Sequence, residues 1–388
     1  MKIIKLVEAS QENSIELPLD VARWLGRSRI AKVTPGIRTG TYDIQVGNLA
    51  GNCRYRDFQF EISPKISTFK LTELLVYSAT GHRWQGVQAG FEKESLSVLV
   101  ADYYSRLLEQ VISKGLPKGY RQAHRTENQF RGKLLIDQQL RRHFMQIQPL
   151  EIETSELTVD TDENRVLFSA CLKLIPIVES EAESSRYARG ILSKLKAQAF
   201  AFSTVSKLTY PVPKLKKTQL NYWYFDALQI ASQVLDNQGV GIWYGTNAFD
   251  GLLIQMWKVF ESVVGRALTE RFGKENVDLQ YSTELALHSN ARIRPDIVVR
   301  DSGKVLAALD TKYKSGSMKN EDIYQAIAYA TVFGLDEATL VYSGQGVDQY
   351  LEINGPLSPN VQVRYIDLHQ PLQKIIGDTE RLVPILSR

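Results

Sequence analysis

Short strand-like segments separated by turn residues fill the first 65 residues of the chain. Residues 3–7, 41–46 and 58–62 alternate or cluster β-branched and aromatic side chains, which is the pattern of half-buried strands. Pro-Gly and Gly-Asn pairs stand between these segments, and such pairs mark turns because glycine and asparagine tolerate left-handed backbone. The pattern predicts a small β-rich domain at the N-terminus.

From residue 71 the apolar positions recur every three or four residues, which is the period of an amphipathic helix. This spacing predicts helices over residues 71–78, 96–111, 164–177, 185–208, 221–235 and 251–272. Beyond residue 290 strands return, and the predicted order is strands at 293–299 and 305–313, a helix at 321–333, and strands at 339–342 and 361–366. We therefore expect a mixed α/β protein of two domains. The first is a β-rich domain with a helical extension over residues 1–160, and the second has a helical arm and spans residues 161–388.

Composition narrows the class of protein. Of the 388 residues 44% are hydrophobic and 23% are charged, which are the proportions of an ordinary globular protein. The two cysteines, Cys53 and Cys171, lie far apart and exclude a disulfide scaffold or a cysteine-based zinc site. There is no run of 18 apolar residues and no signal-peptide pattern near the start. We expect a cytoplasmic protein that does not enter a membrane.

Charge is distributed in blocks of alternating sign, although the net charge is only +4. Residues 114–144 carry eight basic and two acidic side chains, whereas residues 151–183 carry nine acidic and two basic ones. Residues 185–217 carry eight basic side chains and no acid. Basic blocks suit the phosphates of DNA, and the candidate contacts in the last block are Lys194, Lys196, Lys207 and Lys214. The alternative interpretation is a solvated helix face.

The candidate chemistry lies in two neighbouring predicted strands. Asp296 opens the first strand within Arg-Pro-Asp, and Asp310 and Lys312 lie two residues apart on the second, so their side chains leave the same face of the sheet. Two carboxylates beside a lysine suit a Mg²⁺-dependent phosphodiesterase, because carboxylates bind the hard cation and the lysine can orient water or neutralise charge. The alternative is a surface hairpin with an ordinary Asp–Lys ion pair. Against it, Asp310 ends a strongly apolar run, where a charged group usually has a specific partner.

Three further residues are candidates for the same site. Glu261 projects from an apolar stretch of the preceding helix and could complete a metal site, or it could be an exposed helix residue. Gln325 and Tyr329 lie four residues apart on the following helix and share a face. Gln325 could bind the attacking water or a phosphate, and Tyr329 could contact the DNA backbone. Core packing is the alternative for both.

These motifs resemble the PD-(D/E)xK nuclease superfamily. Within it, the chain resembles the McrC family, the nuclease subunits of McrBC-type modification-dependent restriction systems. The supporting segments are Phe-Glu-Ile-Ser-Pro-Lys-Ile at residues 60–66, Phe-Arg-Gly-Lys-Leu at 130–134 and Asp-Glu-Asn-Arg-Val-Leu at 162–167, together with the Asp296 and Asp310 motifs. The resemblance implies a restriction-endonuclease-like C-terminal domain and Mg²⁺ (or Mn²⁺) as cofactor. Asp296 and Asp310 are then the expected metal ligands, with Glu261 assisting. The Thr311 carbonyl is a further candidate ligand, because strand carbonyls adjoin such sites.

The resemblance further implies a partner, an AAA+ GTPase of the McrB type that reads modified cytosine in DNA as part of a defence against phage. It implies that the N-terminal β-rich part docks into the ring of that partner and stimulates GTP hydrolysis. No GxxxxGKS or GxxxxGKT loop occurs in the sequence, so a nucleotide-driven motor would have to come from another chain. Two alternatives stay open: a stand-alone or repair-type nuclease of RecB-like character, and a non-catalytic subunit that activates a GTPase and only binds DNA.

Overall fold

The computed structural model describes residues 2–83, 95–181, 186–209, 212–214, 216–236, 250–285, 290–314, 318–355 and 358–383. The chain divides into two compact units. The first unit combines Met1–Leu99 with Asn237–Arg388, and the second is Val100–Asp236. The boundary predicted at residue 160 therefore does not coincide with a division between these units, because it falls inside the second one.

The N-terminal segment of the first unit contains the predicted strands. Its elements are β1 (Lys2–Val7), β2 (Gln11–Glu16), α1 (Leu19–Arg27), β3 (Ala31–Pro35), β4 (Thr41–Val46), β5 (Leu49–Tyr55), β6 (Phe58–Ser63) and α2 (Thr68–Thr80). Strands β2, β4 and β3 form one antiparallel sheet, whereas β1 pairs in parallel with β6, which pairs antiparallel with β5. The strands predicted at residues 3–7, 41–46 and 58–62 are confirmed.

The second unit is mainly helical and carries an exposed β-ribbon. After α3 (Leu96–Ser113), whose first residues belong to the first unit, come β7 (Gly119–Glu127), β8 (Lys133–Leu134), α4 (Ile136–Arg142), β9 (Leu150–Thr158), α5 (Asp162–Glu181), α6 (Arg186–Ala201) and α7 (Phe225–Asp236). Strands β7 and β9 pair along their full length, and β8 pairs with the other edge of β9. The helix predicted over residues 185–208 ends earlier, at Ala201.

The C-terminal segment of the first unit begins with a strand where a helix was predicted. Strand β10 (Asp250–Gln255) precedes helix α8 (Met256–Phe272), so the expected helix over residues 251–272 is wrong in its first turn. The reason is long-range pairing, because β10 is antiparallel to β5 and extends the N-terminal sheet to the order β1-β6-β5-β10. Leu253 of β10 accordingly belongs to the same buried core as Leu6, Leu25 and Phe60.

A second sheet follows helix α8. Its elements are β11 (Val277–Leu279), β12 (Thr283–Glu284), β13 (Arg292–Ile293), β14 (Ile297–Asp301), β15 (Lys304–Lys312), α9 (Asn320–Phe333), β16 (Glu337–Ser343), β17 (Gln349–Leu351), β18 (Asn360–Ile366) and α10 (Leu372–Glu380). Six of these strands form one sheet in the order β11-β14-β15-β16-β18-β17. Strands β14 and β15 form an antiparallel hairpin, and β15, β16 and β18 run parallel. The expected mixed α/β class is confirmed, and no described helix is long and apolar enough to cross a membrane.

Candidate active site

The β14–β15 hairpin brings the predicted acidic residues together. Ile297 pairs with Leu309 across the hairpin, so Asp296, directly before β14, lies next to the end of β15 that carries Asp310. Strand β14 begins with three buried apolar residues, and β15 is buried from Ala308 to Asp310. Hydrophobic burial of the strands thus fixes where the carboxylates lie, and Asp310 is only 3% exposed.

The alternation of side chains along β15 places Asp310 and Lys312 on the same face, where they form an ion pair. Lys312 Nζ also donates a hydrogen bond of 2.9 Å to Gln325 Oε1 on helix α9. The Asp310 Oδ2 atom is buried and lies in the ion pair with Lys312 Nζ. A carboxylate oxygen can accept about two partners, so Oδ2 can bind one further group beside the lysine.

Gln325 and Tyr329 continue this network along helix α9. Gln325 Nε2 donates to the Tyr329 hydroxyl at 2.5 Å. That hydroxyl lies 3.2 Å from the Arg294 carbonyl oxygen and 3.4 Å from Asp310 Oδ1, and either oxygen can accept its single proton. Tyr329 is only 2% exposed, so its burial argues against the predicted contact with DNA. Its position instead supports the orientation of Asp310 and Gln325.

Asp296 is held by both of its carboxylate oxygens. Oδ2 accepts hydrogen bonds from the Thr311 backbone N–H at 2.7 Å and from the Thr311 hydroxyl at 2.8 Å. Oδ1 accepts from Gln280 Nε2 at 2.9 Å, and the same Gln280 nitrogen donates to Glu261 Oε1 at 2.5 Å. Glu261 therefore approaches Asp296 from helix α8, and its described link to Asp296 runs through Gln280. Its role as a metal ligand stays a prediction.

Like charges and burial perturb two of these carboxyl groups. Burial, together with the neighbouring Asp296 carboxylate, raises the pKa of Asp310 to about 6 against the opposing attraction of Lys312. Burial and the same carboxylate raise the pKa of Glu261 to about 7. Carboxyl groups crowded in this way are typical of functional sites, where a cation or a substrate relieves the repulsion.

The sequence patterns did not predict Asp322 or Gln280 as residues of the site. Asp322, in the first turn of α9, accepts hydrogen bonds from Lys314 Nζ at 2.5 Å and from the Tyr342 hydroxyl at 2.8 Å, and it lies 3.9 Å from Lys312 Nζ. Although its burial acts in the opposite direction, these donors keep the pKa of Asp322 below its usual value. An acidic residue in the first turn of a helix is a detectable signal, but it resembles ordinary helix capping.

Hard oxygen donors are the groups in this site that could hold a metal ion. They are the carboxylates of Asp296 and Asp310 and the carbonyl of Thr311, and they suit Mg²⁺, which commonly takes one or two carboxylates and completes its shell with water and phosphate. Repulsion between the Asp296 and Asp310 carboxylates, which a cation would relieve, is consistent with that fit. Within the described ranges no three His, Cys, Asp or Glu side chains are arranged to hold a metal ion.

The predicted DNA-contacting lysines lie in and after α6 of the second unit. Lys196 forms an ion pair of 3.0 Å with Glu179, and Lys194 lies 3.7 Å from Glu109. The neighbouring acids offset the positive charge of both lysines. Lys207 and Lys214 are exposed. The four lysines therefore do not form one uniformly unpaired basic surface.

Comparison with solved structures shows what the fold is similar to. A chain in the refined half-complex from a tetradecameric assembly of Thermococcus gammatolerans McrB AAA+ hexamers with bound McrC aligns with 98% of this chain and 99% of its own length. The TM-score is 0.55 and the sequence identity is 16%. A chain of the Thermococcus gammatolerans McrBC complex aligns with 70% of this chain and 89% of its own length, at a TM-score of 0.40 and 17% identity.

Sequence comparison identifies the family. A search among curated proteins found no match. The family model for components of the McrBC 5-methylcytosine restriction system matches residues 44–343, which is most of the chain and includes every residue of the site. The chain therefore belongs to the McrBC family of 5-methylcytosine restriction system components, and the expected McrC-type membership is confirmed.

Proposed function

We propose that this chain is the DNA-cleaving subunit of a McrBC-type restriction complex and a Mg²⁺-dependent endonuclease of the PD-(D/E)xK type. The observation that carries the proposal is the cluster of Asp296, Asp310 and Lys312 at the end of one hairpin, with Asp310 buried and paired to the lysine. A surface hairpin with an incidental ion pair would not bury the aspartate or link both partners by hydrogen bonds to Gln325 and Tyr329 on helix α9.

The residues of the site have different proposed roles in hydrolysis. Asp296 and Asp310, with the Thr311 carbonyl, would hold Mg²⁺, which supplies a Lewis acid for the scissile phosphate and lowers the pKa of a water. Lys312 carries positive charge to the point where negative charge grows on the phosphate during attack. Gln325 holds the Lys312 ammonium at 2.9 Å and so limits the positions that this charge can take.

The partner proposed for this subunit is an AAA+ GTPase of the McrB type. Support comes from family membership and from the similar structure, in which McrB AAA+ hexamers have McrC bound. The absence of a phosphate-binding GxxxxGKS or GxxxxGKT loop from the sequence agrees with a motor supplied by another chain.

An exposed apolar surface offers a place for that contact. We call it the apolar tip, and its members lie between β7 and β9 and are all more than half exposed: Phe130, Ile136, Leu140, Phe144, Met145 and Ile147. Helix α4 has no buried residue. Its Ile136 and Leu140 lie four residues apart on one face and do not pack into a buried core. Six large apolar side chains in water favour a protein contact, and their basic neighbours favour an acidic rim on the partner. This surface is in the second unit, and it lies within residues 1–160, the range predicted to hold the partner-binding domain.

The test is cleavage of DNA containing 5-methylcytosine by the full chain with a McrB-type GTPase, GTP and Mg²⁺. Lys312→Ala should abolish cutting. Lys374→Ala is the matched control, because it removes an exposed Lys–Asp ion pair on α10 and should cut normally. Cutting that needs neither the GTPase nor GTP would favour the stand-alone nuclease. Stimulation of GTP hydrolysis by a wild-type chain that never cuts would favour the non-catalytic subunit.

A further inference from the structure

Gln280 has an unusual backbone conformation next to the candidate site. It follows β11 with a φ of +54°, which is the left-handed region that residues other than glycine seldom adopt. Its backbone N–H donates a 2.7 Å hydrogen bond to the Asp296 carbonyl oxygen. Such a conformation is unfavourable for a residue with a side chain and persists where surrounding contacts fix it, often at functional sites.

The side-chain amide of Gln280 joins two carboxyl groups from different elements. Its Nε2 lies 2.5 Å from Glu261 Oε1 on helix α8 and 2.9 Å from Asp296 Oδ1 before β14. Both contacts are made by Nε2, which can only donate, so the two protons of the NH₂ group serve the two partners. The amide therefore places a donor between two groups that would otherwise repel each other.

Gln280 also completes the orientation of Asp296. Thr311 holds Oδ2 with two hydrogen bonds, and Gln280 holds Oδ1 with one, so rotation of the carboxylate is restricted on both sides. Each oxygen of a carboxylate can accept about two bonds, so Oδ1 can bind a cation in addition to the Gln280 amide. Without the amide, the contacts that Asp296 keeps within the described part of the chain would all be on one oxygen, and Glu261 would lose its described link to the site.

We propose that Gln280 is a positioning residue that fixes Asp296 and Glu261 for binding of a divalent cation. The inference rests on the proposed function, because it assigns Gln280 a role at that same metal site. Partners that hold a metal-binding side chain typically change metal affinity or activity by about 10–100-fold when they are removed. Gln280 is not expected to touch DNA, so its loss should lower kcat and cation affinity while the KM for DNA stays the same.

The left-handed backbone of Gln280 allows the effect of its side-chain amide to be tested separately from the effect of the turn. Gln280→Gly suits the positive φ better than glutamine does, so the turn is retained while the amide is removed. Gln280→Met keeps a side chain of similar length without a donor and serves as a second variant if the first folds poorly. Gln345→Ala is the matched control, because it removes a 3.0 Å amide-to-carboxylate hydrogen bond to Asp367 elsewhere in the domain.

The experiment measures Mn²⁺ binding to the full chain by titration calorimetry, and then kcat and KM for DNA cleavage with the GTPase partner. We expect Gln280→Gly and Gln280→Met to weaken Mn²⁺ binding by about 10–100-fold and to lower kcat, with Gln345→Ala like wild type. Wild-type Mn²⁺ affinity in either folded Gln280 variant would overturn the inference and leave the proposed nuclease intact. A wild-type chain that neither binds Mn²⁺ nor cuts would overturn the proposed function, and the inference with it.

Discussion

Replacing Asp310 by asparagine should stabilise the metal-free protein at neutral and alkaline pH. The asparagine removes a buried negative charge that lies beside the Asp296 carboxylate. The pKa of Asp310 rises from 3.8 to about 6 on folding, so between these pH values the folded chain binds more protons than the unfolded chain. The free energy of unfolding of the wild type therefore falls as pH rises through this window. Asp310→Asn does not lose this stability, because asparagine does not ionise.

The size of the effect follows from the shift. A difference of about two pKa units corresponds to about 3 kcal/mol once Asp310 is fully ionised, above about pH 7. The variant also loses the ion pair with Lys312, which lowers its free energy of unfolding. That attraction is already included in the shifted pKa of Asp310, so it is not subtracted again. The difference in stability between Asp310→Asn and wild type should be near zero around pH 4 and should reach a plateau by about pH 8.

Thermal unfolding in chelator-containing buffer between pH 4 and pH 8 measures this difference. At about 2–4 °C per kcal/mol for a unit of this size, the variant should melt several degrees above wild type at pH 8. Added Mg²⁺ should raise the Tm of wild type more than that of Asp310→Asn. Asp367→Asn is a control of opposite sign, because several hydrogen bonds outweigh burial and hold the pKa of Asp367 at about 2. A difference for Asp310→Asn that is flat with pH, or negative at pH 8, would refute the reasoning.

Three further outcomes are expected. Lys312→Ala should still stimulate GTP hydrolysis by the partner while DNA stays uncut in the same tube, because the lost charge serves only the cleavage step; a loss of GTP turnover would contradict this. Lys207→Glu with Lys214→Glu should weaken DNA binding, and the slope of log affinity against log salt should shrink by about one for each lost phosphate contact; an unchanged slope would exclude these lysines from the interface. Met145→Asp in the apolar tip should weaken co-purification with the GTPase while Mn²⁺ binding is retained, whereas intact co-purification would place the contact elsewhere.

The site was predictable where it depends on local spacing. Asp310 and Lys312 are two residues apart on a strand, and the period of a strand alone places them on one face. Gln325 was also predictable, because it lies in the first turns of the helix that follows the strand of Asp310 and Lys312. Gln280 was not predictable, because its role depends on two elements that meet only in the folded chain, and a glutamine after a short strand carries no signal of its own.

The fold shows the same limit at β10. Leu252, Leu253 and Ile254 form a short apolar run that precedes a true helix, and periodicity alone does not distinguish a buried strand from the start of that helix. Pairing with β5 makes this run a strand, and β5 lies far away in the sequence. The predicted division at residue 160 failed to match the compact units for the same reason, since local patterns do not reveal that the first and last parts of the chain share a sheet.

The β5–β10 pair also determines when the first sheet can be completed during synthesis. Until β10 leaves the ribosome, β5 is an unprotected edge strand, and at about 5–20 residues per second the intervening ~200 residues take roughly 10–40 s to make. Edges of this kind attract strands of other chains. The native pair depends on glycine at two positions, because a Cβ atom at Gly51 would lie 2.0 Å from the Leu252 carbonyl oxygen and one at Gly251 would lie 2.3 Å from the Asn52 carbonyl oxygen. A side chain at either position would therefore hold β10 away from β5 and leave that edge open after synthesis.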